Sequence, residues 1–119
     1  MIQLDLPYPP SVNHYWRRVG ARTLISRGGR AFRQSVCSIL AASDIQPCAG
    51  ALEVRIDLFP PDRRRRDVDN IQKALLDALE HGGAYFDDNQ IVHLDTWKHE
   101  PVPGGKAVVR ISQHGGDSG

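Results

Sequence analysis

The sequence predicts a single α+β domain, in which one mixed β-sheet carries two packed helices in the order β-α-β-α-β-β. Apolar and polar residues alternate over residues 51 to 59, as on a half-buried strand. Apolar residues recur at helical spacing in two further segments, one on each side of that strand. A length of 119 residues is typical of one domain, so we treat residues 1 to 119 as a single unit. Residues 115 to 119 are Gly-rich and are expected to form a flexible tail.

The first part of the chain predicts a strand, a loop and a helix. Residues 2 to 6 alternate as a short strand, and the three prolines that follow end it. Residues 11 to 30 contain one asparagine, two aromatic residues and five arginines, and this segment is expected to form a loop. From Phe32 to Leu40 the apolar residues share one helical face, and this helix should end near Ser43.

The second part predicts a strand, a helix and two more strands. Leucine, valine and isoleucine face inward along residues 51 to 59. Apolar residues then recur at helical spacing over residues 68 to 80, and a Gly-Gly pair is predicted to end this helix. Residues 91 to 98 and 106 to 111 are the last two strands, and the Pro-Val-Pro-Gly-Gly segment between them predicts a hairpin turn.

Composition excludes several classes of protein. With 40% hydrophobic and 24% charged residues the chain is not disordered or fibrous. No apolar run approaches the roughly 20 residues of a membrane span. The N-terminus has no basic region before its first proline, so we expect no signal peptide and a cytoplasmic protein. Cys37 and Cys48 fit that compartment as free thiols.

The net charge of +1 is the sum of a basic first part of the chain and an acidic second part. Residues 1 to 50 carry six arginines against two aspartates, a net of +4, whereas the remainder carries nine basic and twelve acidic residues, a net of −3. A run of four arginines at positions 63 to 66 lies within the acidic part, directly before two aspartates. This pattern is typical of a polyanion-binding surface beside a carboxylate cluster.

The densest segment surrounds the start of the second predicted helix. Asp69 and Lys73 lie one turn apart on its polar face. Asp67 is predicted at the N-cap with Asn70 at N3, so both carboxylates lie at the positive end of the helix dipole. A structural explanation stays open here: Asp67 as a cap, and Asp69 with Lys73 as a surface ion pair.

A second acidic pair, Asp87 and Asp88, precedes the strand that begins near Ile91. In a plain helix-to-strand connection this pair would lie near the helix C-terminus, ~18 Å from Asp67 at ~1.5 Å per residue. Either residues 83 to 90 reach back across the sheet edge, or the partner subunit of a dimer supplies Asp88. If the carboxylates converge, their oxygens suit Mg²⁺ or Mn²⁺, with Lys73 and the arginines contacting phosphate.

Three separated motifs resemble those of the RusA family of Holliday junction resolvases. They are 62-Asp-Arg-Arg-Arg-Arg-Asp-Val-Asp-Asn-Ile-Gln-Lys-73, 87-Asp-Asp-Asn-Gln-90 and 9-Pro-Pro-Ser-Val-Asn-His-Tyr-15. Their order and spacing agree with the family over nearly the whole chain. The resemblance implies a homodimeric, Mg²⁺-dependent endodeoxyribonuclease, bacterial or phage-encoded, that places paired nicks in strands of like polarity at four-way DNA junctions.

The resemblance also implies roles for individual residues. Its catalytic acidic residues, which would also hold the metal, fall on Asp67, Asp69 and Asp88, and its essential lysine on Lys73. Asp87 and Asn70 are further possible site residues. DNA contacts are expected from the following residues: Arg63, Arg64, Arg65, Arg66, Asn13, Tyr15, Arg17 and Arg18.

Alternatives remain open at this stage. The chain could be a non-catalytic branched-DNA-binding module, or a nuclease for flaps or other branched DNA. Tyr15 and Trp16 could stack on unpaired bases or pack under the loop, and Asn13 could cap its own turn. His93, Asp95 and His99 share a predicted strand face, where a second metal site competes with ordinary solvated positions.

Overall fold

The fold was described from a computed structural model, which covers residues 1 to 11 and 15 to 115. Its element order confirms the predicted β-α-β-α-β-β arrangement and adds one hairpin, β2 with β3, inside the segment expected to be a loop. The proposed tail beyond residue 115 and Asn13 lie outside the described residues. The elements are β1 (Ile2–Leu6), β2 (Trp16–Val19), β3 (Arg22–Ile25), α1 (Arg27–Ala42), β4 (Leu52–Phe59), α2 (Val68–His81), a 3₁₀ turn (Asp88–Gln90), β5 (Ile91–Lys98) and β6 (Lys106–Gln113).

The main sheet has the strand order β1-β6-β4-β5, with β4 and β5 parallel and the other pairs antiparallel. The predicted hairpin between β5 and β6 is therefore wrong, because β6 pairs with β4 instead. The chain does turn at Gly104 and Gly105, whose φ angles are 78° and 69°. The turn instead carries the chain past the end of β4, where Val102 N donates to Pro60 O over 2.9 Å. The apolar strand β4 thereby occupies the centre of the sheet.

Both helices cover one face of this sheet. Alternate residues of β4 point toward the helices and are almost fully buried, as are the apolar residues of α1 and α2. At about 25 cal/mol per Å² of apolar surface this burial is the main stabilising contribution. The core includes Leu52, Val54, Ile56, Leu58, Phe32, Val36, Leu40, Ile71, Leu75, Ala78 and Leu79.

The parallel β4-α2-β5 unit fixes where the candidate residues lie. Because Leu52 pairs with Ile91 and Leu58 with Lys98, the two strands begin at one edge of the sheet and end at the other. The helix runs antiparallel to both, so its N-terminus lies at the carboxyl end of the strands. None of the helices in the described ranges is both long and apolar enough to cross a membrane.

Candidate active site

Asp67 occupies the N-cap position of α2, as predicted, but its side chain does not cap the helix. Its backbone is extended and its carbonyl accepts the first helical hydrogen bond, from Ile71 N over 3.2 Å. The side chain accepts no capping hydrogen bond. The structural explanation of this aspartate as a capping residue therefore fails, and an exposed carboxylate remains at the positive end of the helix.

Asp69 and Lys73 follow on the exposed side of the same helix. Among the residues that the structure describes, neither side chain forms an ion pair, so the expected surface pair between them is absent. Asp69 lies in the first turn, where the helix dipole favours a negative charge. Two carboxylates and one ammonium group thus lie within two turns of helix, and none of them has an ion-pair partner among the described residues.

The four arginines before Asp67 differ in how firmly they are held. Arg66 Nη1 donates to Asp62 Oδ1 over 2.7 Å, and its side chain is only 20% exposed. This bond holds the pKa of Asp62 at about 2. Arg63 reaches Glu100 over 2.8 Å with both side chains exposed. Arg64 is 84% exposed, with only its backbone N–H bound closely to Asp62, and Arg65 is exposed.

A cleft of 510 Å³ joins this segment to the N-terminal motif. Tyr8, Pro9 and Pro10 form one wall, and the guanidinium of Arg66 lies 5.7 Å from the ring centre of Tyr8. The other wall comes from residues 64 to 67 and the first turn of α2, including Asn70. Two of the three sequence motifs thus meet at a cleft that combines positive charge with the Asp67 carboxylate.

Tyr15 lies in the core rather than in the cleft, with none of its surface exposed. Its hydroxyl donates to Asp77 Oδ2 and accepts from Arg33 Nε over 2.7 Å, and Arg33 Nη2 also reaches Asp77 over 2.9 Å. Burial and the adjacent carboxylate raise the pKa of Tyr15. This favours the packing alternative for Tyr15. Asp77 and Arg33 were missed because no local pattern joins residues so far apart in sequence.

The hairpin of β2 and β3 presents two of the predicted DNA-binding arginines. Arg17 and Arg18 are exposed on β2, and Arg17 pairs in register with Leu24. Trp16 is only partly exposed, because its ring packs edge-on against Tyr15 at a centroid distance of 5.1 Å. Tyr15 therefore anchors a hairpin whose polar residues face solvent.

The second acidic pair lies at the opposite end of α2. Asp88 N donates to Glu80 Oε1 over 2.9 Å, and carboxylate oxygens of Glu80, Asp87 and Asp88 lie within 4.8 Å of one another. Partial desolvation, followed by the charges of Glu80 and Asp87, raises the pKa of Asp88. Glu80 was not among the site residues predicted from the sequence. Its place in the last turn of α2, just before the Gly-Gly stop, was the available signal.

The remaining residues of this motif hold Asp88 in place. Asp87 caps the 3₁₀ turn by accepting from Asn89 N over 2.8 Å, and Gln90 Oε1 accepts from Asp87 N over 2.9 Å. Gln90 Nε2 also donates to the carbonyls of Cys48 and Gly50. These bonds fasten the turn to the segment before β4, so residues 83 to 90 do not reach back along the helix.

Within one chain, therefore, the two acidic groups are separated. Asp69 and Glu80 are eleven residues apart on α2, which corresponds to about 16 Å at 1.5 Å per residue. Asp88 lies beside Glu80 at the far end. Of the two arrangements that the sequence left open, a connection that reaches back within the chain is wrong.

The outer face of the sheet contains a charged network centred on Asp57, which is 6% exposed. Arg55 and Arg110 donate to its carboxylate over 2.9 to 3.1 Å, and His99 Nε2 lies 2.6 Å from it. Asp95 is 3.7 Å from Arg55 Nη1. His99 and Asp95 thus have protein partners on this strand face.

Known proteins resemble this chain over most of its length. The family model for Endodeoxyribonuclease RusA matches residues 7–112. Crossover junction endodeoxyribonucleases RusA from Enterobacteria phage 82 and from Escherichia coli K12 are each 40% identical to the chain, and the aligned regions cover 96% of both proteins. A relative of the same name from Enterobacteria phage HK97 is 39% identical over 93% of each chain. The chain belongs to the RusA family of endodeoxyribonucleases.

Proposed function

We propose that this protein is a Mg²⁺-dependent endodeoxyribonuclease, able to use Mn²⁺, that resolves four-way DNA junctions by paired nicks in strands of like polarity. Its relatives bear the name crossover junction endodeoxyribonuclease. The observation that carries the proposal is the carboxylate of Asp67, which makes no capping hydrogen bond. It lies at the start of α2, beside a cleft lined by arginines. The proposed compartment is the cytoplasm of a bacterium, whether the gene is bacterial or phage-borne.

The donor set fits a hard divalent cation. Asp67, Asp69 and Asp88 would hold it through carboxylate oxygens, the ligands that Mg²⁺ prefers, while leaving coordination positions for water and phosphate. When bound, the ion lowers the pKa of a coordinated water and stabilises charge on the phosphodiester. Asn70, in the cleft beside Asp67, can orient that carboxylate or contact DNA, and Asp87 positions Asp88 by capping its turn.

Cationic side chains bind and orient the DNA. Lys73 is exposed one turn after Asp69, where its ammonium group stabilises the phosphate or the leaving oxygen. Arg64, Arg65 and Arg66 line the cleft and bind the neighbouring backbone, with Arg63 at its side. Arg17 and Arg18 extend this surface from the hairpin, and Asn13 adjoins it in sequence.

The proposed active form is a homodimer. A four-way junction with two-fold symmetry requires two equivalent sites, which a C2 dimer supplies. Each site also needs an Asp88 carboxylate that its own chain holds at the wrong end of α2. The partner subunit is the remaining source.

The test is cleavage of a synthetic four-way junction with Mg²⁺, with Mn²⁺ and with a chelator. We expect paired nicks that need the metal, and we expect Asp67→Asn and Asp69→Asn to abolish them while junction binding is kept. Asp44→Asn is the matched control, because it neutralises an exposed aspartate outside the proposed site, in the turn after α1. Binding without nicking by the wild type would contradict the proposal in favour of a DNA-binding module, and preferred cleavage of flaps would contradict the junction substrate.

A further inference from the structure

We infer that Arg33 is a positioning residue, which keeps Lys73 available for phosphate by binding the carboxylate of Asp77. Asp77 lies one helical turn after Lys73 on α2, whereas Arg33 lies on α1. The inference rests on the proposed function, in which Lys73 stabilises the phosphate or the leaving oxygen. It adds a residue of the other helix that acts on the reaction through two side chains of α2.

The first observation is the spacing of Lys73 and Asp77. Residues four apart on a helix have Cβ atoms about 5 to 6 Å apart, so a lysine and an aspartate at these positions can pair. Lys73 is exposed, and the side chain of Asp77 is 38% exposed. In the described ranges, however, no ion pair involves Lys73. The Asp77 carboxylate is therefore engaged elsewhere.

The second observation is the set of donors that engage Asp77. Arg33 Nη2 and Nε donate to Asp77 Oδ2 over 2.9 and 3.3 Å, and the Tyr15 hydroxyl donates to the same oxygen. Of these donors only Arg33 carries a positive charge. Its side chain is 21% exposed, so water and salt screen this pair less than they screen a pair on the surface. Arg33 thus supplies both hydrogen bonds and a counter-charge, which leaves little for Lys73 to gain at Asp77.

Arg33 is itself held in place at the base of the β2–β3 hairpin. Its guanidinium carbon lies 5.6 Å from the ring centres of both Tyr15 and Trp16, and its Nε donates to the Tyr15 hydroxyl over 2.7 Å. Gly29, one turn earlier on α1, permits this close approach, because a Cβ at that position would lie 2.3 Å from the carbonyl oxygen of Tyr15. Arg33 therefore meets Asp77 from a fixed position.

Loss of Arg33 would change the balance at Asp77. The carboxylate would keep the hydrogen bond from Tyr15 but lose its counter-charge, and an unpaired charge that is partly buried is unfavourable. Lys73, one turn away on a flexible four-carbon stem, can supply that charge. Its ammonium group would then move along α2 away from Asp69 and from the start of the helix.

Single-turnover cleavage of a synthetic four-way junction tests this role. Arg33→Met keeps the apolar stem and removes the charge, and it should lower the cleavage rate about tenfold, because Lys73 is drawn to Asp77. Asp77→Asn alone should stay within about twofold of the wild type. The double variant should recover to about the same level, because asparagine has no charge to hold Lys73. Arg33→Lys, which keeps a cation beside Asp77, should also retain most of the activity.

Matched variants separate this effect from lost charge and lost stability. Arg30 lies three residues earlier on α1, and its guanidinium reaches the carbonyl of Ile25 instead. Arg30→Met therefore removes the same charge, but adding Asp77→Asn to it should not raise its cleavage rate. All rates are measured well below the lowest melting temperature of the set, so that only folded protein is compared.

Carbodiimide coupling reads the capture of Lys73 without using activity. The reagent activates a carboxyl group and takes up the water that is lost when a neighbouring lysine forms the amide. Arg33→Met should give an amide between Lys73 and Asp77, located by fragmentation of the tryptic peptide in a mass spectrometer. The wild type should not form it.

The outcomes distinguish the inference from the function on which it rests. An Arg33→Met variant that cleaves as fast as an active wild type would overturn the positioning role and leave the nuclease assignment intact. A double variant as slow as Arg33→Met, together with no amide in Arg33→Met, would likewise overturn it and leave Arg33 a role in folding alone. A wild type that binds junctions without nicking them would instead contradict the proposed function.

Discussion

Arg66 is bound to Asp62 by a 2.7 Å hydrogen bond, whereas its neighbours Arg64 and Arg65 point largely into solvent. The arginine run therefore contains one anchored side chain and two that are free to follow a DNA backbone. Arg66 also covers the ring of Tyr8, so it supports the wall of the cleft. Asp62 fixes it there.

Replacing Arg64 or Arg65 with alanine should weaken binding to junctions of any sequence. Each phosphate contact that is lost should reduce the slope of log affinity against log salt by about 0.9. Affinity measured over a salt series checks this, together with the melting temperature, which should not change. Arg66→Ala should lower both affinity and melting temperature. Equal effects of all three variants on stability would argue against the distinction.

The two helix N-caps should respond differently to alanine. Ser26 accepts from Gly29 N over 2.9 Å and donates to Tyr15 O over 2.9 Å, so Ser26→Ala should cost about 1 to 2 kcal/mol of unfolding free energy. Asp67→Ala removes no capping bond and should cost less than about 0.5 kcal/mol. Urea denaturation measures both changes. A loss at Asp67 as large as that at Ser26 would restore its role as a cap.

Local patterns in the sequence were sufficient to predict most of the elements. The alternation in β4 and the helical spacing in α2 depend on near neighbours, and the structure confirms both elements. The position of Asp67 at an N-cap followed from the same spacing. Pairing of β6 with β4 could not be predicted in this way, because turn residues mark where a chain turns and not which strand it joins.

The candidate site was harder to predict, because it depends on contacts between remote segments. Gln90 fixes the acidic turn to Cys48 and Gly50, some forty residues earlier, and thereby keeps Asp88 at the far end of α2. For Tyr15 the sequence left both stacking on bases and packing under the loop open, and the bond to Asp77 that favours packing joins residues 62 positions apart. Neither contact leaves a periodic signal.

Tyr15→Phe should destabilise the fold by about 1 to 2 kcal/mol, since it removes hydrogen bonds to two charged groups while the Arg33–Asp77 pair persists. Cleavage by the folded variant should be close to that of the wild type, because the buried ring does not reach DNA. Thermal unfolding and a junction assay well below the melting temperature measure the two effects. Tyr8→Phe is the control for stability. A folded Tyr15→Phe variant that fails to bind junctions would contradict this expectation, and would show that the hydroxyl or its partners Arg33 and Asp77 take part in DNA binding.

The network around Asp57 should make the fold sensitive to acid. Hydrogen bonds from Arg55, and then from His99, lower the pKa of Asp57 to about 2 against an opposing effect of burial, whereas its value in the unfolded chain is close to 3.8. A carboxyl with a lowered folded pKa stabilises the protein fully above its unfolded pKa, and this contribution is lost as the pH falls through the folded value. We therefore expect about 2 kcal/mol of unfolding free energy to be lost between roughly pH 4 and pH 2.

Asp57→Asn tests that assignment, because it keeps the shape of the side chain but removes its charge. The variant should be less stable than the wild type at pH 7, since Arg55 and Arg110 lose their counter-charge. Its stability should then fall less steeply than that of the wild type as the pH drops from 4 to 2. Urea denaturation at several pH values measures this slope, with Asp44→Asn as the control. If the Asp57→Asn and wild-type curves ran parallel through this range, the acid sensitivity would have to come from other carboxylates, because only a group that still titrates can change stability with pH.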